Sequence, residues 1–230
     1  TDAREQARAS GAEDLVPERF AQIDELIAES QRKYESGDYE GAMKDSKEAS
    51  DRYHVLQTLA EAKAMQIEAD EHNFFEKDLE NYMLAAETGN NAVDIYDEGN
   101  IAEAQAKADE TLKRFNEVVK NGWVSIAEEK ASDARDWETA SQDIKANVAA
   151  KAEFDAAEEA LNQAHIALRD GNYTLASELF EQSRELFNVA HNTALEKRRR
   201  AEEAMREAEH MLAESEEKAH FAEDLIGGGE

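Results

Sequence analysis

The feature that most limits what this chain can fold into is the stretch Tyr34-Glu35-Ser36-Gly37-Asp38-Tyr39-Glu40-Gly41-Ala42, because it returns twice. Gly37-Asp38-Tyr39 reappears as Gly99-Asn100-Ile101 and as Gly171-Asn172-Tyr173. Each copy has a bulky residue three places before the glycine (Tyr34, Tyr96, Leu168) and an alanine five places after it (Ala42, Ala104, Ala176). A small residue follows at twelve places (Ala49, Thr111, Ser183) and an aromatic at sixteen (Tyr53, Phe115, Phe187), with another small residue seven places before (Ser30, Ala92, Ala164). A helix that must stop takes Gly just past its end, where positive φ carries no Cβ penalty. Asp or Asn then caps the next helix through its side-chain oxygen. The pattern predicts a helix–turn–helix hairpin made three times, with turns at 37–38, 99–100 and 171–172. Small residues fall where helices approach and aromatics fill the gaps between them.

Composition agrees with an all-α chain. The 230 residues include one Pro and ten Gly, and the hydrophobic share of 41% contains only 7% aromatic residues. Alanine seams therefore replace one thick core. The formal charge of −28, from 54 acidic and 26 basic side chains, opposes nucleic-acid binding, which needs Lys and Arg to displace phosphate counterions. It opposes an anionic membrane surface for the same reason, and favours neutral or basic partners or apolar grooves. The chain has no Cys, so disulfides, thiolate metal sites and thiol nucleophiles are excluded. No apolar run approaches the ~20 residues of a membrane span, so direct insertion is not expected.

Taken in order, residues 1–16 are expected as an N-terminal arm or short helix, and 17–226 as a single elongated array of hairpins. That array alternates short and long helices, about six or seven in all. Pro17 suits the first turn of an amphipathic run carrying Phe20, Ile23, Leu26 and Ile27. The helix after the first turn extends to about Asp70, and the next is expected from Phe74 to Glu98. The run from Ile101 reaches about Ile144, with weak points at Asn121-Gly122 and 141–143. Asn147 is the expected cap of a helix from Val148 to Arg169. The last run, from Tyr173 to about Ile226, contains no breaker and would extend roughly 80 Å if straight. Residues 227–230 are expected as a flexible tail cut before a further domain, since the chain starts at Thr1 without a Met and ends Gly227-Gly228-Gly229-Glu230.

Gly37-Asp38-Tyr39-x-x-Ala42, with Ser30 before and Ala49 after, resembles a tetratricopeptide repeat, and Gly171-Asn172-Tyr173-x-x-Ala176 with Ala164, Phe180 and Ser183 matches it best. Such units recur about every 34 residues and end in a proline. Here the turns stand 62 and 72 residues apart and the proline places hold His54, Asn116 and Asn188, which lets the second helices run on. Ala7-Arg8-Ala9-Ser10-Gly11-Ala12-Glu13, Pro17, Phe20 and the segment Asn121-Gly122-Trp123 are further similar to helical regions of bacterial envelope proteins, treponemal membrane antigens among them. In those proteins an alanine-rich helical part accompanies an OmpA-like or LysM-type domain. The resemblance implies a periplasmic, membrane-tethered, non-enzymatic protein.

The chemistry the residues offer is sparse. Glu207-x-x-His210 and Glu217-x-x-His220 have di-iron spacing but share one helix, whereas such sites draw on several. Asp94 to Asn100 lacks the ligand spacing of a calcium loop. No nucleophile elbow and no phosphate-cradling glycine loop is present. No catalytic residue, cofactor or metal site is assigned. Lys197 to Arg200 form the basic cluster, with Glu196, Glu202 and Glu203 in pairing reach. Trp123 and Trp137 lie fourteen apart on one helix, and Phe74 and Phe75 open the run before it. These large residues plug helix junctions or, alternatively, anchor a partner helix or peptide. The candidate partner-binding residues are Trp123, Trp137, Phe74, Phe75, Arg198, Arg199 and Arg200. From Ala201 onward, Ala204, Ala208, Met211, Ser215, Ala219, Ala222 and Ile226 form a narrow seam suited to weak self-association. The expected function is a protein–protein interaction or scaffold module. The alternatives are a self-associating spacer or stalk, and a carrier of a small apolar ligand between hairpins.

Overall fold

The computed structural model describes residues 2–227, with side chains described through residue 222. Among these residues there is no strand. The helices are α1 (Asp2–Ala9), α2 (Ala12–Leu15), α3 (Pro17–Glu35), α4 (Tyr39–Glu71), α5 (Leu79–Asp97), α6 (Ile101–Asp143), α7 (Ala146–Ala149), α8 (Lys151–Arg169) and α9 (Tyr173–Gly227), with a 3-10 turn at Phe74–Glu76. Among the described helices seven are of eight residues or more, in line with the six or seven expected, and two are single turns. The chain divides into two compact units, Thr1–Ser125 and Ile126–Glu230, where the sequence reading drew one array over 17–226. The tail placed at 227–230 lies outside the described residues except for Gly227, which ends α9.

The three hairpin turns are built alike. Gly37, Gly99 and Gly171 have φ of 91°, 87° and 78°. In the first, Gly37 N–H donates to the Tyr34 carbonyl at 3.1 Å and Asp38 N–H to the Lys33 carbonyl at 2.9 Å. The same two bonds close the second turn (Gly99 to Tyr96, Asn100 to Ile95) and the third (Gly171 to Leu168, Asn172 to Ala167). These are Schellman closures, which satisfy the orphan carbonyls of the ending helix. Asp38 Oδ1 then accepts from Gly41 N–H at 3.0 Å, and Asn172 Oδ1 from Leu175 N–H at 3.3 Å, capping α4 and α9.

A second joint, which the sequence reading missed, precedes each short helix. It starts with a left-handed residue, Gly11 (φ 85°), Asn73 (φ 56°) or Lys145 (φ 62°). One helical turn follows, and then a single residue that leaves the helical region: Val16 (φ −137°, ψ 61°), Asp78 (φ −149°, ψ 59°) or Ala150 (φ −130°, ψ 49°). A helix of 19 residues comes next in all three cases. The expected helix starts at Phe74 and Val148 are therefore corrected to Leu79 and Lys151. Asn147 does not cap α8 but lies inside α7, because the chain bends at Ala150 instead. Asn121-Gly122 does not interrupt α6, which ends at Asp143, in the second of the expected weak stretches, 141–143.

In unit 1, α3 packs on α4, and α1 and α2 pack on α4 through buried Ala3, Ala7 and Ala12. The start of α6 joins this core with Ala104 and Ala108, and α5 joins with Tyr96. In unit 2, α8 packs on α9, and the end of α6 contributes Ala127, Ala131 and Ala134. One aromatic pair spans every hairpin: Phe20 with Tyr53 (ring centroids 5.1 Å apart), Tyr82 with Phe115 (5.6 Å) and Phe154 with Phe187 (5.2 Å). Such pairs contribute about 0.5–1.5 kcal/mol beyond the area they bury. Small polar residues tie the close approaches, Ser30 Oγ donating to the Ala42 carbonyl (2.7 Å) and Ser183 Oγ to the Ala157 carbonyl (2.9 Å).

Candidate functional site

Aligned on their hairpin glycines, the three copies show where a site is built. Ten places before the glycine stand Ile27, Gly89 and Leu161. Leu161 is buried in unit 2 and Ile27 packs against the first core. Gly89 leaves that space open. A Cβ added there would meet Thr111 Cγ2 at 3.1 Å, while the places equivalent to Thr111 hold the smaller Ala49 and Ser183. Thr111 thus takes up part of the missing volume, and the remainder is a cleft.

This cleft lies within unit 1, between the far half of α4 and α5, with a volume of ≈ 360 Å³. Its floor is buried Leu56, Ala62, Ala85, Tyr96, Thr111 and Phe115. Exposed Leu15, Lys63 and Asn90 stand at its rim. None of the lining residues is Asp or Glu, although the chain carries 54 of them, and two are cationic, Arg19 and Lys63. The Arg19 guanidinium is committed to Asp97, donating to both carboxylate oxygens at 2.8 and 2.6 Å. Lys63 Nζ donates to Gln66 Oε1 at 3.0 Å and forms no ion pair among the described residues. Burial holds the Tyr96 hydroxyl neutral by pushing its pKa up. Such a concavity accepts an apolar body and meets it with one positive charge outside any ion pair among the described residues.

The candidate residues named from sequence go to several places. Phe74 is buried, stacked on His72 (5.1 Å) and edge-on to Trp123 (5.3 Å). Trp123 Nε1 donates to Glu68 Oε1 at 2.8 Å, so its polar edge is satisfied inside unit 1. Phe74 occupies a place where the sister copies have Ala12 and Ala146, and Gly122 faces it where they have Ala60 and Ala194. A Cβ on Gly122 would stand 2.1 Å from Phe74 Cγ. Phe75 packs on Tyr82 instead (5.9 Å). Trp137, in unit 2, is edge-on to His191 (5.7 Å), whose Nδ1 lies 3.3 Å from the Ala140 carbonyl oxygen. His165 has its own partner, Phe180 at 5.0 Å, and burial, with Arg135 and Arg169 nearby, lowers its pKa.

Arg198, Arg199 and Arg200 are exposed and paired along α9: Arg198 with Glu202 (2.8 Å), Arg199 with Glu196 and Glu203 (2.8 and 2.6 Å), and Arg200 with Glu196 (2.8 Å). Arg199 first, and then Arg200, hold the Glu196 carboxyl down to about 2. Pairs at this spacing support an isolated helix by a few tenths of a kcal/mol each. Beyond them α9 has a longer-range property. Ala176, Phe180, Ser183, Phe187, Ala190 and Ala194 form a buried stripe with steps of four and three residues. The same steps continue through Lys197, Ala201, Ala204, Ala208, Met211, Ser215, Lys218 and Ala222. Lys197 Nζ closes the covered part by donating to the Ala149 carbonyl at 2.6 Å, and every residue from 201 to 222 is exposed.

Among the described residues no group of three His, Asp or Glu side chains is placed to hold a metal, and no helix is long and apolar enough to cross a membrane. The sequence signals that single out the cleft, Gly89 and the acid-free lining, become visible only once the copies are placed in register.

No protein-family model matches this chain, and no solved structure does. A curated relative described as Treponemal membrane protein A, from Treponema phagedenis, is 25% identical over 185 residues, 77% of this chain and 54% of that protein. A protein of the same description from Treponema pallidum (strain Nichols) is 28% identical over 122 residues, 53% of this chain and 35% of the relative. The chain spans about half the length of the first and about a third of the second. It is a distant relative of these treponemal membrane proteins.

Proposed function

We propose that this chain is a non-catalytic protein-binding module of a bacterial envelope protein, similar in plan to tetratricopeptide arrays, and that the far part of α9 receives a helical partner. The observation that carries this is the stripe of α9, buried from Ala176 to Ala194 and continued in the same register over exposed residues 201–222. At 1.5 Å per residue the exposed run is about 33 Å long. Met205, Met211, Leu212 and Phe221 on it are each more than 60% exposed. The occupant is a helix or helical hairpin with small residues at three- and four-residue steps. That is what covers the same stripe where it is covered, since α8 lies on the near part of α9. It is also what covers the far half of α4, where Ala62 meets Ala85 of α5. An alanine-lined face admits close helix approach and no bulky globular knob.

The envelope placement is supported by the relatives, whose description is membrane protein. No described helix can cross a membrane, so on this reading attachment is made by something other than these helices. The periplasmic side is the part of the reading that rests on resemblance to envelope antigens alone.

A photo-crosslinking residue placed at Ala208 or Met211 in the natural protein tests it, with Arg206 and Ala213 on the opposite face as controls. The expected result is one helical segment labelled from 208 and 211 and nothing from 206 and 213. Equal labelling from both faces, or none, removes the docking role. Capture of a second copy of the chain would make the module a self-associating spacer instead.

A further inference from the structure

The structure assigns the cleft between α4 and α5 as a binding site for a free single-chain fatty acid, its tail lying on Leu56, Ala85, Gly89 and Phe115 and its carboxylate meeting Lys63 at the rim. This site is independent of the α9 face and stands or falls separately.

Three observations carry it. The first is the absent side chain. Ile27 and Leu161 fill this position in the sister copies, so the unit tolerates a large residue here and the middle copy alone has glycine. A helix-interior glycine weakens its helix relative to alanine. Here it keeps a space of ≈ 360 Å³ open against α5, with an aliphatic and aromatic floor and polar groups at its edge. The second is size and lining. The volume lies near the lower end of ligand pockets, which run from about 300 to 1,000 Å³. Its floor is aliphatic and aromatic, suited to a single medium-length alkyl chain and too small for a two-chain lipid. The third is charge. With 54 acidic side chains in the chain, a lining without one, bearing Lys63 at the rim, selects against cations and favours an anionic head. Arg19 is already neutralised by Asp97, so the head group falls to Lys63.

The free energy of transfer sets the expected readout. Each methylene moved from water into the cleft strengthens binding about fourfold, until the chain outgrows the space. The experiment is a displacement titration of the full chain with a series of saturated fatty acids of increasing length. The neutral alcohol of matching length and anionic phosphatidylglycerol vesicles are separate arms. Expected are saturable one-to-one binding of the acids with a length optimum, weaker binding of the alcohol, and no binding of the vesicles. The double substitution Gly89→Leu with Thr111→Ser, which installs the residues of the third copy, abolishes binding while the chain still melts cooperatively. Should that variant not fold, Ala86→Leu narrows the same cleft from its half-exposed wall and has the same expected effect. Lys63→Gln weakens the acid roughly three- to fivefold, as an exposed ion pair allows, and leaves the alcohol unchanged. The assignment is overturned by an absence of saturable binding at every length, by binding that survives the filled cleft, by vesicles binding where free acids do not, or by Lys63→Gln acting equally on acid and alcohol.

Discussion

Placed in register on Gly99 and Gly171, the hairpin α5–α6 of unit 1 and the hairpin α8–α9 of unit 2 share a 19-residue first helix, a left-handed turn and an edge-on aromatic pair. They differ in how bulk is shared across the seam. The third copy sets Ala146 evenly with Ala194 and puts the bulk on Leu161 opposite Ser183, and all four are buried. The middle copy moves the bulk to one side: Phe74 with Gly122, and Thr111 with Gly89. At the joint the exchange fills the space, because the phenylalanine ring lies where two methyl groups would otherwise meet. Against α5 it does not, because one extra threonine methyl is smaller than a leucine side chain. The same backbone therefore gives a solid hairpin in one place and a cleft in the other.

The largest effects come from the aromatic pair. Phe187 is fully buried and contacted on all sides, so Phe187→Ala is expected to destabilise unit 2 by about 4–5 kcal/mol. Phe115 has the cleft on one side and already lacks partners there. Phe115→Ala is expected at the low end, about 3 kcal/mol. Trp123 reports on unit 1 and Trp137 on unit 2, so urea unfolding of single-tryptophan variants reads the two separately. Equal losses would mean that the cleft is closed in solution and that the comparison fails.

Next is the joint. Gly122→Ala places a Cβ into the Phe74 ring and is expected to cost about 3 kcal/mol. Phe74→Ala costs a similar amount by leaving a void. Together they recreate the Ala–Ala pairing of the sister copies, so the double variant should be more stable than the sum of the singles predicts, by at least about 1 kcal/mol. Simple additivity in a double-mutant cycle would show that the two residues do not share one space.

The hairpin turns were legible in the sequence because their left-handed residue is glycine in all three copies and a capping Asp or Asn follows. The second joint was not. Its left-handed place holds Gly11, Asn73 and Lys145, and its non-helical place Val16, Asp78 and Ala150, which share no side-chain chemistry. Backbone geometry there is fixed by what the flanking helices pack against, not by propensity. From sequence the tryptophans and phenylalanines had two readings, junction plugs first and docking anchors second. Burial separates Phe74, a plug, from half-exposed Trp137. The cleft was invisible for a further reason: a missing side chain carries no signal until its counterparts, Ile27 and Leu161, are placed beside it.

The smallest expected effect concerns a polar clamp that the first hairpin has and the other two replace with phenylalanine. Asp24 on α3 accepts from Arg4 of α1 at 2.6 and 2.7 Å and from the Tyr53 hydroxyl of α4, tying three helices. The places of Tyr53 hold Phe115 and Phe187 in the other copies, which have no hydroxyl to offer. The Arg4 guanidinium first, and Tyr53 second, hold the Asp24 carboxyl below its usual range, while partial desolvation works the other way. A carboxyl whose pKa is lower folded than unfolded contributes stability above the unfolded value, about 3.9, and loses it as pH falls through the folded value. As pH falls below the unfolded value and through the lower folded one, unit 1 should therefore lose stability in proportion to this clamp. The side chain is 37% exposed, so the loss is under about 1 kcal/mol. Asp24→Asn flattens that part of the acid dependence reported by Trp123 and leaves the Trp137 profile unchanged, since Glu181 in unit 2 keeps its own partners Arg184 and Lys130. An Asp24→Asn chain whose Trp123 profile still falls as steeply would place the acid sensitivity of unit 1 elsewhere, and the clamp would then be reduced to a packing contact between α1 and α3.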